Sequence, residues 1–416
     1  MPDRRLAAGL GLAVVAAAAL SACATAAAQT QLRIGAMFPL HGDAAGLASD
    51  ELRGAEIAAQ LVNQAGGVRG AQITLDLRDV ESASQAATAA SSLAADGVPA
   101  IIGAYSSELS IPAAAAVSRR GIVYWETGAV ADQLTGRGLP LVFRVGADGA
   151  DLGGNSGQFV LDQLAPRLHE NAAQLRYFLV TADDAYAHSV ADGAHRALAA
   201  GGAVFAGEAV YNPYAPRWVE TVAAVSAAHP NILLLSSHIP DGIAFRRAFL
   251  AAGLHVQAFL GTTMAQCLPD FGEALGPDAV GVFASDRPPN GFNPRALNGQ
   301  ARALYATFAS TWEQQTGRAP SEEGISGFSA AWVLFHDVLP RATSFQPQAI
   351  ASAARALNLP DRSLPNGAGV RFSSSGAQLG QNTRAAAVIW QWQNGGAWPV
   401  VWPPLYATGS IELATA

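Results

Sequence analysis

From Leu32 onward, short apolar runs alternate with alanine-rich stretches of helical period, and this alternation restricts the chain to an α/β fold built on parallel sheet. Residues 32–37 read as a first strand. Residues 51–65 follow as a helix, with Leu52, Ala55, Ala59 and Val62 spaced by threes and fours along one face, and Gly66-Gly67 ends it. Residues 73–80 alternate apolar and polar, which predicts a strand near a sheet edge. A helix at 83–95, a strand at 100–105, a helix at 109–119 and a strand at 122–125 complete a doubly wound half.

A transition at 140–148 follows, within which residues 141–145 are expected to cross between domains. A second series then begins, with helix 155–164, strand 176–181, helix 189–200, strand 203–210, helix 218–228 and strand 231–235. Segments 243–252 and 258–260 continue it. The last third is less regular. Residues 280–284 read as a strand returning to the first lobe, helices follow at 301–316, 326–339 and 347–357, and strands 386–392 and 398–402 flank the turn Asn394-Gly395-Gly396 as a hairpin. The glycine-rich stretch 146–157 lacks dinucleotide-binding spacing and reads as a hinge-side loop.

Composition supports two large lobes and excludes several functions. Half of the 416 residues are apolar and 14% are charged, enough for an extensive core. The net charge is −7, and no Lys/Arg run is longer than a pair such as Arg4-Arg5, so nothing invites nucleic acid. The chain has no Gly-x-Ser-x-Gly, no His-Glu-x-x-His, no phosphate loop ending in Gly-Lys-Ser/Thr and no paired cysteines for a metal, so no enzyme, cofactor or metal site is expected. Of the two cysteines, Cys267 reads as a small buried hydrophobe.

The N-terminus carries an address. Arg4-Arg5 precede an apolar core at 6–20, too short to span ~30 Å of hydrocarbon and typical of a signal peptide. Leu20-Ser21-Ala22-Cys23 resembles the bacterial lipoprotein cleavage box, which implies a signal peptide at 1–22, acylation of Cys23 and a tether at 23–31. The alternative is an ordinary secretory signal cut after a later alanine. Either way the mature protein is expected in the periplasm or at the cell surface.

Several short motifs, in this order, resemble the leucine/isoleucine/valine-binding family of type I periplasmic binding proteins. They are Ile34-Gly35-Ala36 with Pro39-Leu40-His41-Gly42, Gly54-Ala55, the run from Asn63 through Gly70, Ile101-Ile102-Gly103 leading to Ser106-Ser107, Phe143-Arg144, Asp184-Ala185-Tyr186, and the segment from Phe372 to Gly376. The resemblance covers nearly all of the mature chain. It implies two lobes, residues 32–143 with 284–360 and residues 144–283 with 361–416, joined by a three-stranded hinge. It also implies a substrate-binding role beside the permease and ATPase subunits of an ABC importer. A ligand sensor feeding a signalling partner would share the same fold, and a hydrolase is the third class, distinguished by turnover.

Ligands of open α/β sheets sit beyond the carboxyl ends of the strands, so the loops there supply the candidate site. Ser106 and Ser107 open a helix after the third strand, where hydroxyls and amides suit an anion or simply cap the helix. The resemblance implies that Ser107 and the amides of Gly128 and Ala129 hold a ligand carboxylate, although Val130 stands where a threonine is usual. Tyr105 would form a wall. Glu126 would bind a cationic or hydroxylated group, or act as a loop acid. Tyr186 is implied to close over the ligand, and His238 lies where another aromatic is expected. At Thr262-Thr263 the family's acid for an α-ammonium is missing, so Thr263 marks a departure. Either Glu126 replaces that acid from the other lobe or the cargo is not an α-amino acid; Trp125, Tyr105 and Tyr124 then suit an aromatic or amide-bearing carboxylate, beside the branched-chain amino acid that the resemblance implies.

Overall fold

The computed structural model describes residues 30–413, so the signal peptide, Cys23 and nearly all of the tether lie outside the described residues. In the first lobe, β1 (Gln31–Phe38), β2 (Gln72–Asp79), β3 (Ala100–Gly103), β4 (Val123–Glu126) and β5 (Val142–Arg144) form one parallel sheet in the order β2-β1-β3-β4-β5. The centre of this sheet is buried on both faces, so β3 and β4 are uninterrupted buried runs, whereas β2, at the edge, is buried only at Ile73 and otherwise part-buried or exposed. Period-two alternation sorts the core: Ile34 and Ile102 face one cluster, and Met37 and Ile101 the other.

Helices cover both faces. α1 (Ala45–Gln64) lies on the first face, while α2 (Ala83–Ala95) and α3 (Ser107–Ser118) lie on the second. After β5 the chain enters the second lobe through α4 (Gly149–Phe159), which runs on through a π-helical turn (Val160–Leu164) and a single turn α5 (Ala165–Arg167).

The second sheet has the order β12-β11-β10-β9-β8-β6-β7. It comprises β6 (Arg176–Ala182), β7 (Val204–Tyr211), β8 (Ile232–Ser236), β9 (Ala258–Thr262), β10 (Val282–Asp286), β11 (Val388–Gln391) and β12 (Val400–Trp402), with β11 and β12 antiparallel. Between them run α6 (Ala185–Ala200), α7 (Trp218–Ala228), α8 (Ile239–Ala251) and α9 (Pro269–Leu275). α10 (Gly299–Thr316), α11 (Glu322–Trp332) and α12 (Pro347–Ala356) return to the first lobe, where their apolar faces join its core. Two doubly wound lobes are the result.

Two expectations need correction. The strand at 280–284 does not return to the first lobe: it is β10, paired parallel to β9 and antiparallel to β11 in the second sheet, so the chain leaves only after Asp286. The glycine-rich stretch 146–157 is mostly helix, because Asp148 caps α4 by accepting from Asp151 N–H at 2.8 Å. Its glycines allow close helix packing: a Cβ on Gly153 would sit 2.0 Å from Val190 O on α6.

Three segments cross between the lobes, after β5, after β10 and before β11. The first and third are stitched together. Arg144, wholly buried, donates from Nε to Gln381 Oε1 at 2.7 Å and from Nη1 to Ala131 O at 2.8 Å, and its Nη2 lies 3.5 Å from Asp148 Oδ2. Asn382 Nδ2 donates to Val145 O at 2.9 Å, and Gln381 Nε2 to Gly146 O at 2.9 Å. Among the described residues no helix is long and apolar enough to cross a membrane.

Candidate ligand-binding cleft

The loops after β3 and β4 face those after β8, β9 and β10, and side chains reach across the seam. Tyr105 Oη donates to Met264 Sδ at 3.3 Å, and Arg287 Nη1 donates to Gly128 O at 3.1 Å. Sequence reasoning placed the site at these strand ends, and the structure brings Tyr105, Gly128, Met264 and Arg287 together there.

On the first lobe, the groups expected to hold a ligand carboxylate already have partners. Glu126 is completely buried, and its Oε1 accepts from the amides of Thr127 at 3.0 Å, Gly128 at 2.8 Å and Ala129 at 2.8 Å. The chain's own acid thus fills the amide nest assigned to a ligand. Burial pushes the Glu126 carboxyl above the usual range, against the lowering influence of Ser110, the two amides of Gly128 and Ala129, and Arg144. Ser107 Oγ accepts from Ala131 N–H at 3.1 Å, and Ser106 caps α3, accepting from Leu109 N–H at 3.4 Å. The capping alternative holds for Ser106.

Two of the three aromatics expected to favour the cargo belong instead to the core. Trp125 is buried, donates from Nε1 to Ala330 O at 2.8 Å, and packs 5.6 Å from Phe143 and 5.4 Å from Phe372 between ring centroids. Tyr124 points into the opposite cluster, as adjacent residues of a strand must. Only Tyr105 reaches the seam.

What the sequence reading missed is an acidic cluster beneath Tyr105. Glu51 on α1 is wholly buried, and neither of its carboxyl oxygens has a hydrogen-bond partner. Its Oε2 lies so close to the loop after β4 that a Cβ on Gly128 would meet it at 2.1 Å. Burial first, then the charge of Glu126, pushes its carboxyl up to about 8, with Thr127 and Arg287 pulling the other way. Glu322 and Glu323 open α11 nearby, and Asp286 ends β10. Arg287 sits among them, its Nε 2.8 Å from Glu322 Oε1 and 3.7 Å from Asp286 Oδ1. Burial and the neighbouring carboxyls push Asp286 up to about 7 and Glu323 well above its usual range. A signal was available: Glu51 interrupts the apolar face of α1, between Ala48 and Ala55, where a lone carboxylate has no reason to be buried.

The second lobe presents neutral, well-paired groups. Tyr186 is buried and donates to Thr262 O at 2.8 Å, while Thr263 Oγ1 donates to the tyrosine oxygen at 2.9 Å. Tyr186 and Thr263 therefore brace the ends of β8 and β9 against α6. His238, half-buried, stands 5.2 Å from Tyr186 ring to ring, with Nε2 2.7 Å from Asp184 Oδ2. Burial lowers the proton affinity of this imidazole, but Asp184, Asp241 and Glu108 raise it more, for a net upward shift. Cys267 is buried beside Ser285 O, and burial pushes its thiol well up, as suits an inert side chain. Among the described residues one trio of possible metal ligands, His41, Asp79 and Glu81, gathers at the exposed carboxyl ends of β1 and β2, where His41 Nδ1 lies 2.5 Å from Asp79 Oδ2.

Comparison with known proteins agrees with this architecture. The family model described as periplasmic binding protein matches residues 31–397. The Leu/Ile/Val-binding protein homolog 8 of Brucella suis is 29% identical over 380 residues, covering 91% of this chain and 92% of that one. The homolog 7 of Brucella abortus is 27% identical, covering 97% and 98%. Among solved structures, the leucine-binding protein LivK of Thermotoga maritima superposes with a TM-score of 0.73 at 19% identity, covering 89% of this chain and 97% of that one. The branched-chain amino acid transporter substrate-binding protein LivJ of Streptococcus pneumoniae, solved with isoleucine, gives 0.72 at 16%, covering 90% and 100%. With two doubly wound lobes, a three-segment hinge and a family match spanning nearly the whole described chain, this protein belongs to the type I periplasmic binding proteins, in the leucine/isoleucine/valine-binding family.

Proposed function

We propose that this chain is the extracytoplasmic substrate-binding component of an ABC importer, tethered to a membrane through lipid on Cys23, which captures a small molecule between its lobes and delivers it unchanged to a permease. The observation that carries this reading is the seam itself: two sets of strand-end loops converge on Tyr105, Gly128, Met264 and Arg287, with buried acids beneath that lack partners. Such convergence of unsatisfied polar groups at facing sheet edges suits reversible capture. Closure about three short crossings gives the lobes a means of enclosing cargo. The names of the Brucella relatives favour a small amino-acid-like cargo, but Thr263 supplies no acid for an α-ammonium and the loop amides are occupied by Glu126.

Equilibrium dialysis of the purified protein with candidate ligands, followed by mass spectrometry of both compartments, tests the proposal. Saturable binding of one molecule per chain, with the ligand recovered intact, is expected; steady product formation would overturn it. Thermal shift provides the screen, since ligand at 100 times its dissociation constant adds about 2.7 kcal/mol. For the anchor, Cys23→Ser should move the protein from the membrane to the soluble fraction.

A further inference from the structure

We propose that Glu51 is the ligand's principal partner and that the cleft selects a small organic cation, an amine or amidine, rather than a carboxylate-bearing amino acid. The inference rests on the substrate-binding reading above and deepens it. Its basis is a count of donors and acceptors. Amides that a carboxylate would need are engaged within the protein: those of Thr127, Gly128 and Ala129 on Glu126, and that of Ala131 on the hydroxyl oxygen of Ser107. Acceptors are in surplus. Both oxygens of Glu51 and Oε2 of Glu126 are buried outside any formed hydrogen bond, with the hydroxyls of Thr127 and Ser110 close enough to influence them.

Charge points the same way. Glu51, Asp286, Glu322 and Glu323 are buried around the guanidinium of Arg287, and Glu126, buried beside Glu51, is faced by Arg144, which Asp148 already engages. A buried carboxylate without a counter-ion keeps its proton, and an arriving cation would replace that proton. The groups facing Glu51 are Glu126 from β4, Thr127 beside it, Arg287 after β10, Glu322 and Glu323 from α11, and Tyr105 after β3. All but Arg287 are acids or neutral hydroxyls. The location is the cleft: Gly128, which touches the Glu51 carboxyl, also receives Arg287 from the far side of the seam, and Tyr105 above contacts Met264 of the second lobe.

The test uses the full-length protein with benzamidine, agmatine and choline as cationic probes, leucine and isoleucine as zwitterions, and phenylacetate as the anion. Titration calorimetry in two buffers of different ionisation enthalpy should show a cationic probe binding with release of close to one proton at pH 7, and with affinity rising about tenfold from pH 6 to pH 7. Glu51→Gln, checked for folding by circular dichroism, should weaken that probe at least tenfold and abolish the proton release. The wild-type proton count stands if the variant misfolds. Binding of leucine or phenylacetate in preference to every cation, or cation binding unaltered by Glu51→Gln, overturns this inference and leaves the receptor reading intact. Silence of all probes overturns the inference and removes support from the receptor reading as well.

Discussion

The two walls of the cleft are equally buried and chemically opposite. The first-lobe wall holds Glu51, Glu126, Glu322 and Glu323, with Arg287 of the second lobe reaching in among them and three acid oxygens outside any formed hydrogen bond, whereas Tyr186, Thr263 and Ser237 of the second lobe make neutral hydrogen bonds. Burying a charge is costly unless it is paired, while burying a paired hydroxyl costs little. The first wall therefore stores an unmet demand for positive charge, and the Tyr186–Thr263 face of the second is paired within itself. On the reading proposed above, recognition belongs to the incomplete wall, and the other serves as its cover.

The largest expected effect comes from removing the guanidinium that the second lobe inserts among the acids of the first wall. Arg287→Met leaves Glu322 and Asp286 buried without compensation and should cost about 3–5 kcal/mol, read as a shifted urea midpoint. A loss below 1 kcal/mol would mean that the acids are already neutral and that the contrast between the walls is smaller than drawn. The second effect is on pH. Glu51 holds its proton up to about pH 8 when folded, against an ordinary value of 4.5 when unfolded, so the folded state binds the extra proton and stability falls as pH rises between these limits. At the limiting slope of about 1.4 kcal/mol per unit, the unliganded protein should lose up to about 4 kcal/mol from pH 5 to pH 8. Asp286, pushed up to about 7, acts with the same sign, as does His238, whose upward shift contributes stability below its ordinary 6.5 that is lost as pH rises through the higher folded value. Glu51→Gln should flatten most of this decline in melting temperature. A wild-type profile flat from pH 5 to 8 would refute the account of Glu51.

The frame of the molecule was legible because it is written in periodicity. The alternation at residues 73–80 marks β2 as an edge, and the hairpin around Asn394-Gly395-Gly396 pairs β11 with β12 as its turn residues require. Residues 280–284 show where that legibility ends. An apolar run says that a strand is buried but not which sheet receives it, and β10 joins the second sheet because β9 and β11 flank it. Residues 146–157 were misread because glycine suggests a loop, while here it lets α4 and α6 approach closely. In the site, position was legible and occupancy was not. Loops after strands were located at Ser107 and Gly128, but the sequence does not say that Glu126 turns back on the amides following it. The acidic cluster draws Glu51, Arg287 and Glu322 from segments more than 200 residues apart at the extremes, joined only by the packing of α1 against α11.

On the self-paired face of the second wall, changes should be smaller and indifferent to pH. Tyr186→Phe removes a donor to Thr262 O and the acceptor of Thr263 Oγ1, and should cost about 1–2 kcal/mol without altering the slope of stability between pH 5 and 8. A changed slope would place Tyr186 in the same electrostatic unit as Glu51 and dissolve the distinction between the walls.

The smallest effect separates location from role within the first wall. Ser106 stands next to Ser107 and Tyr105, yet its hydroxyl accepts only from Leu109 N–H at the start of α3, over a long 3.4 Å. Ser106→Ala should therefore cost no more than about 1 kcal/mol, the ordinary loss of an N-cap, and Ser106→Asp should recover it. Both variants should keep the wild-type decline of melting temperature with pH, because neither touches the carboxyls that cause it. If Ser106→Ala shifted that decline, the helix cap would be coupled to the acidic cluster through Tyr105, and the first wall would extend further along α3 than its charges do.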